Sequence, residues 1–198
     1  VPRRLQSSAT KLGDIAYEDI NGDGKIDGED QIRWGMPSAP HFTYGFDFVL
    51  GYKGFTLSGL LYGTGKRNME FGVTTKKNEA IWVLNDYQLD YWREDNRDAT
   101  FPRISLEALP NGSNNQAAST FWVKNASFLR LKNLTLEYDF KYKLLRNVKW
   151  LSTCRANITG ANLFTISNVM DYFDPEPTST NGGYPVQRVY SLGVTIGF

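Results

Sequence analysis

Over residues 190–198 apolar and small or polar residues alternate without a break. Tyr190, Leu192, Val194, Ile196 and Phe198 share one parity, and Ser191, Gly193, Thr195 and Gly197 share the other. Successive side chains of a strand point to opposite faces, so the segment predicts a strand with one apolar and one small, polar face. A half-buried strand of a soluble sandwich normally runs on into a polar tail or turn. The given sequence stops on the aromatic, which is the ending expected of the closing strand of an outer-membrane β-barrel.

The same period recurs upstream. Phe42, Tyr44, Phe46, Phe48, Leu50 and Tyr52 alternate with Thr43, Gly45, Asp47, Val49 and Gly51. A tight Lys53-Gly54 connection then predicts a second strand over 55–63. A third strand is predicted over about 127–140. There Leu129 and Leu131 have one parity, while Leu134, Leu136, Tyr138 and Phe140 have the other. A phase slip near Lys132-Asn133 is what one inserted residue, a β-bulge, produces. Weaker alternation over about 153–166 gives a fourth strand, and about 187–198 the fifth.

Connections between these strands alternate short and long. Residues 53–54 and 141–152 are short; 1–41, 64–126 and 167–186 are long. Outer-membrane barrels have short periplasmic turns and longer extracellular loops, so the three long segments are expected outside. Five strands cannot close a membrane barrel, which needs about eight. The expected fold class is therefore all-β: antiparallel transmembrane barrel strands forming the C-terminal piece of a larger barrel. Residues 1–41 form an extracellular loop segment, and 42–198 the barrel strands with long loops 64–126 and 167–186.

Composition alters this picture little. A net charge of +1 gives no electrostatic case for nucleic acid. A mean hydropathy of −0.41 is compatible with a barrel, where alternate strand residues and outer loops are polar. No apolar run approaches the roughly 20 residues of a spanning helix. The opening Val1-Pro-Arg-Arg-Leu-Gln has no apolar core and is not a signal peptide; if the protein is exported, residue 1 is not expected to be its biological start. Cys154 and His41 are each alone of their kind. The phase of Cys154 with Ala156 and Ile158 makes it a packed small hydrophobe. No nucleophile elbow, phosphate loop or His/Cys cluster is present, and no enzyme is expected.

The segment 19–30 reads as a twelve-residue calcium-type loop. Asp19, Asn21 and Asp23 hold positions 1, 3 and 5, Gly24 the sharp turn at 6, and Asp30 position 12. Lys25 offers its backbone carbonyl at 7, and Asp27 acts through water at 9. A hard cation takes six to eight oxygens, and alternate residues of a tight loop can supply them. Asp at 12 is shorter than the usual bidentate Glu, and no helical periodicity precedes the loop. The expected ion is a structural Ca²⁺; the plainer alternative is a Gly/Asn/Asp turn with carboxylates facing water. Residues 79–92, with Ile81, Trp82, Leu84, Leu89 and Trp92, suggest a short amphipathic helix packing within its loop.

Several segments together resemble the SusC/RagA family of TonB-linked outer-membrane proteins from the Bacteroidetes. They are Gly13-Asp-Ile-Ala-Tyr-Glu-Asp-Ile-Asn-Gly-Asp-Gly-Lys-Ile-Asp27, Phe42-Thr-Tyr-Gly-Phe46, Tyr52-Lys-Gly-Phe55 and Tyr91-Trp-Arg-Glu-Asp-Asn96. Further on come Ala126-Ser-Phe-Leu-Arg-Leu-Lys-Asn133, Asn162-Leu-Phe-Thr-Ile166, Asp174-Pro-Glu176 and the ending 191–198. The resemblance implies a plugged barrel of the roughly 22-stranded class in the cell outer membrane. Such proteins import oligosaccharides or peptides, are driven by TonB through N-terminal regions absent from this sequence, and pair with a SusD-like surface lipoprotein. The rival expectation is a soluble, calcium-stabilised β-sandwich that binds carbohydrate.

Overall fold

The computed structural model describes residues 6, 10–70, 89–104, 115, 117–169, 173–177 and 186–198. Its strands in chain order are β1 (Phe42–Tyr52), β2 (Phe55–Gly65), β3 (Asn68–Glu70), β4 (Val123–Asn125), β5 (Phe128–Asp139), β6 (Thr153–Ser167) and β7 (Val189–Gly197). Five of them form one antiparallel sheet in the order β1-β2-β5-β6-β7, and β3 pairs with β4. The five long strands match those expected from alternation to within about two residues. The short β3 and β4 lie inside what the sequence pattern presents as one long connection. Three residues are too few to show a period. Most of the expected helix over 79–92 lies outside the described residues.

Registers show how alternation becomes two chemically distinct faces. Leu50, Leu57, Leu136, Ile158 and Leu192 are directly opposite one another across all five strands. One residue over, Val49, Ser58, Thr135, Thr159 and Ser191 form the neighbouring row on the other face. The Thr135 and Thr159 hydroxyls share a hydrogen bond at 2.9 Å on that polar face. Arg155 there lies 3.6 Å from Glu137 and 3.8 Å from Asp139.

The phase slip in β5 is a bulge at Lys132, where the register jumps between Leu131 and Asn133. Leu61 opposes Leu131 and Gly59 opposes Leu134, so both parities of β5 leucines reach the same apolar face. One extra residue thus keeps the face continuous rather than interrupting it.

That apolar face has no covering layer among the described residues. Leu192 is 80% exposed and Leu50 62%. Each large aliphatic side chain left in water forgoes about 1.5–3 kcal/mol of burial, which an apolar medium would supply. The sandwich expectation calls for a second sheet over it; the described residues provide only the β3–β4 pair besides the main sheet. Both β1 and β2 have 11 residues, which matches the roughly 9–11 needed by a tilted strand to cross the hydrocarbon.

By internal contacts the chain divides into two units. One is Met36–Glu70 with Lys124–Phe198, which carries the five-stranded sheet; the other is Val1–Gly35 with Phe71–Val123. In the second unit Asp14, upstream of the calcium-type segment, is held by two distant residues. Arg103 donates to both Asp14 oxygens at 3.2 Å, and Asn115 Nδ2 donates to Asp14 at 2.9 Å. Gly13, at φ +85°, lies against the Trp92 ring, where a Cβ would come within 2.3 Å of the indole. Gly13, Asp14 and Trp92 of the resemblance motifs are thereby brought together in one packed corner.

Candidate functional site

The apolar face is banded along the strands. Leu50, Leu57, Leu136, Ile158 and Leu192 form an aliphatic row. At the short-turn end stand Tyr52, Phe55 and Tyr138, in consecutive register. Phe55 and Tyr138 have ring centroids 4.5 Å apart, and Trp150 stacks on Phe198 at 5.7 Å. Phe42 and Tyr44 occupy the opposite end of β1. Aromatic girdles around an apolar band are the pattern of a barrel wall in a bilayer, since amphipathic rings sit at headgroup level.

Over the polar face, two arginines hold the segment Asp174-Pro-Glu-Pro177. Arg130 is 2% exposed. Its Nη1 donates to Glu176 at 2.5 Å, its Nη2 to Asp174 at 2.7 Å and its Nε to Thr165 at 2.9 Å. The guanidinium also lies over the Phe128 ring at 5.3 Å. Lys132, projected by the bulge, reaches the other Glu176 oxygen at 3.3 Å and lies over Tyr62. Arg67 donates to the Glu176 and Pro177 carbonyls at 3.0 and 2.7 Å. Burial lowers the Arg67 pKa, opposed by Tyr62 and Glu176.

This clamp uses residues from two resemblance motifs, Ala126–Asn133 and Asp174–Glu176, that the sequence leaves unconnected. Forty-four residues separate Arg130 from Asp174. The available signal was an arginine in phase with polar positions of a strand and an acid pair beside prolines. Neither identifies the other without the register.

In the calcium-type loop, the side chains are engaged by the loop's own backbone. Asp19 accepts from Gly22 N at 2.7 Å and Gly24 N at 2.8 Å, tying position 1 to positions 4 and 6. Asn21 accepts from Asp23 N, and Asp23 from Lys25 N. Asp30 accepts from Ile20 N and Asp27 N, both at 2.8 Å. Hydrogen bonds from the Asp27 and Ile20 backbone hold the Asp30 carboxyl below its ordinary pKa. Gly22 and Gly24 have φ of +79° and +84°, left-handed values that glycine adopts without strain. Among the described residues, no three His, Cys, Asp or Glu side chains are gathered as around a metal ion.

Comparison with known proteins agrees with the banded sheet. The chain is 25% identical over 203 residues to TonB-dependent receptor P26 of Formosa agariphila, covering 94% of this chain and 20% of that protein. It is 24% identical to TonB-dependent receptor P39 of the same organism, with 98% and 20% covered. Among solved structures, the RagAB peptide importer in its open-open state superposes with a TM-score of 0.64 at 23% identity, covering 88% of this chain and 19% of that one. The fold is therefore an all-β, antiparallel portion of a barrel wall, as in the matching stretch of that importer. The closed-closed state of the same importer gives a TM-score of 0.61.

No family model matches the chain. The chain is nevertheless similar to TonB-dependent receptors in sequence and to the RagAB importer in fold, and these are outer-membrane proteins. The chain spans about a fifth of the length of the curated relatives it matches. Its open sheet is therefore a portion of a barrel. The relatives are receptors and importers by name, a class distinct from enzymes.

Proposed function

We propose that this chain forms part of the wall of an outer-membrane TonB-dependent importer of the SusC type. The observation that supports it is the pair of faces on one sheet: an exposed aliphatic row between aromatic ends, and a polar face with ion pairs. One face suits lipid and the other a hydrated lumen. The short connections lie on the periplasmic side and the long ones outside. Oligosaccharide or peptide is the substrate class, the peptide reading being supported by the likeness to the RagAB importer. The working partners are TonB, reached through regions outside this sequence, and a SusD-like surface lipoprotein.

For the loop over 19–30 the proposal is a structural calcium ion held by Asp19, Asn21, Asp23, the Lys25 carbonyl and Asp30. It is supported by the ligand spacing and by the left-handed turn at Gly24.

Uptake by cells expressing the full-length protein tests the transport reading. Fluorescent peptides and oligosaccharides should accumulate in the periplasm only when TonB is intact, and a lipid-anchored protein should co-purify. Equal accumulation without TonB sinks the reading.

A further inference from the structure

We propose that the short-turn rim of this sheet binds the headgroups of anionic phospholipids. The segment 140–152 contains Lys141, Lys143, Arg146 and Lys149 and no Asp or Glu. It is a built turn: Leu145 N donates to Phe140 O at 2.8 Å, Val148 N to Leu145 O at 3.1 Å, and Lys141 Nζ to Val148 O at 2.9 Å. Leu151 is buried beneath it. With Lys141 used internally, Lys143, Arg146 and Lys149 stand exposed.

Among the described residues, the acidic side chains at this end of the sheet face elsewhere. Glu137 and Asp139 lie on the polar face with Arg155, and Asp139 also accepts from Lys141 N. The rim is continuous with the membrane face at both sides. The backbone at Gly54 packs on Tyr142, and Asp139 N donates to Gly54 O, which joins Lys53 and Tyr52 to the turn. Ser152 N donates to Gly197 O, and Trp150 stacks on Phe198. Tyr142, Leu144 and Trp150 are 55%, 67% and 68% exposed.

Exposed rings beside cations that form no ion pair among the described residues, at the end of an apolar band, fit one kind of partner. The rings enter the interfacial layer, and the cations meet phosphate at the same depth. A solvated charged turn has no need of exposed Trp150, Leu144 and Phe198 alongside it. The inference rests on the membrane-wall reading above.

The test uses the full-length protein in nanodiscs of phosphatidylethanolamine with a minority of phosphatidylglycerol, followed by native mass spectrometry of the retained lipids. Wild type should retain phosphatidylglycerol above its bulk share. K143Q/R146Q/K149Q should lose that preference, by roughly fivefold per charge removed. The charge-conserving K143R/R146K/K149R should keep it, which separates headgroup attraction from damage to the turn. Equal enrichment in wild type and the Gln variant overturns the rim proposal while leaving the wall reading intact. Failure of the wild type to enter the nanodisc at all overturns both.

Discussion

The ring of Tyr44 occupies the space that a side chain at Gly63 would fill. A Cβ there would come within 2.5 Å of Tyr44 Cζ and 2.4 Å of the Phe128 carbonyl oxygen. The phenol crosses β2 and donates to that same carbonyl at 3.1 Å. Phe42 over Gly65 and Phe48 over Gly59 repeat the arrangement, so three rings of β1 cover three glycines of β2. Rings covering strand glycines supply the packing those positions lack and pin the register. Gly63→Ala should therefore destabilise by about 1–3 kcal/mol through overpacking, although alanine ordinarily suits a strand better than glycine. At Gly45 no atom lies closer than 3.9 Å, and Gly45→Ala should be neutral or stabilising. Heat-dependent gel mobility of the full-length variants checks this; equal behaviour would dismiss the ring-over-glycine account.

Arg130 offers the sharpest energetic test of the loop clamp. Its side chain is 3% exposed and Asp174's is 10%. Replacing it with methionine leaves the largely buried Asp174 without its cation, while Glu176 keeps Lys132, a loss of about 3 kcal/mol. Arg130→Lys keeps the charge but cannot fork to Asp174, Glu176 and Thr165 together, so it should restore only part. Exchange of the Glu176 amide, which donates to Asp174 at 2.8 Å, reports the clamp directly. Unchanged protection in Arg130→Met would mean that the segment is held by something else.

Asp90 predicts a pH response in the other unit. Hydrogen bonds from Thr100 and Asn96, with Arg93 nearby, hold its carboxyl below the ordinary aspartate value. The folded group releases its proton more readily than the unfolded one, so the unfolded state binds more protons in the window between the two values. The contribution is present above a pH of about 3.9 and is lost as pH falls through the lowered value. Thr100 amide exchange should accelerate across that window in wild type and be fast and pH-independent, after correction for intrinsic exchange, in Asp90→Ala.

Alternation alone located β1, β2, β5, β6 and β7, because a strand with lipid on one side and water on the other displays its period in every residue. The bulge was legible too, as the change of parity between Leu131 and Leu134. The clamp was hidden, since it depends on β5 and β6 pairing so that Arg130 lies opposite Thr165. The Gly13–Trp92 contact was hidden for the same reason: residues distant in sequence meet there, and glycine gives no sign of what packs upon it.

Orientation follows from which connections face the periplasm. In a Cys154→Ala background, Asn147→Cys in the short turn should stay unlabelled by an impermeant thiol reagent on intact cells. Asp98→Cys, exposed in the long 64–126 connection, should label. Permeabilising the outer membrane should make both reactive. The reverse pattern would invert the topology.

Calcium at 19–30 is testable through the difference between a ligand and a bystander. Asp19, Asp23 and Asp30 bring like charges into one short loop, and the ion would offset their repulsion. The amides of Gly22, Gly24 and Lys25 already orient Asp19 and Asp23, which leaves further lone pairs on these carboxylates for a cation. Asp23→Ala removes a ligand at position 5, whereas Glu29→Ala removes the same charge from position 11, which supplies none. Calcium should slow proteolysis across 22–28 in wild type and in Glu29→Ala, and a chelator should reverse it. Asp23→Ala should be cut at the same rate with or without calcium. The strands do not depend on the ion, so heat-dependent mobility of the barrel should be equal in all three proteins. Identical cleavage of the two variants, or indifference of the wild type to chelator, would establish an ordinary acidic turn.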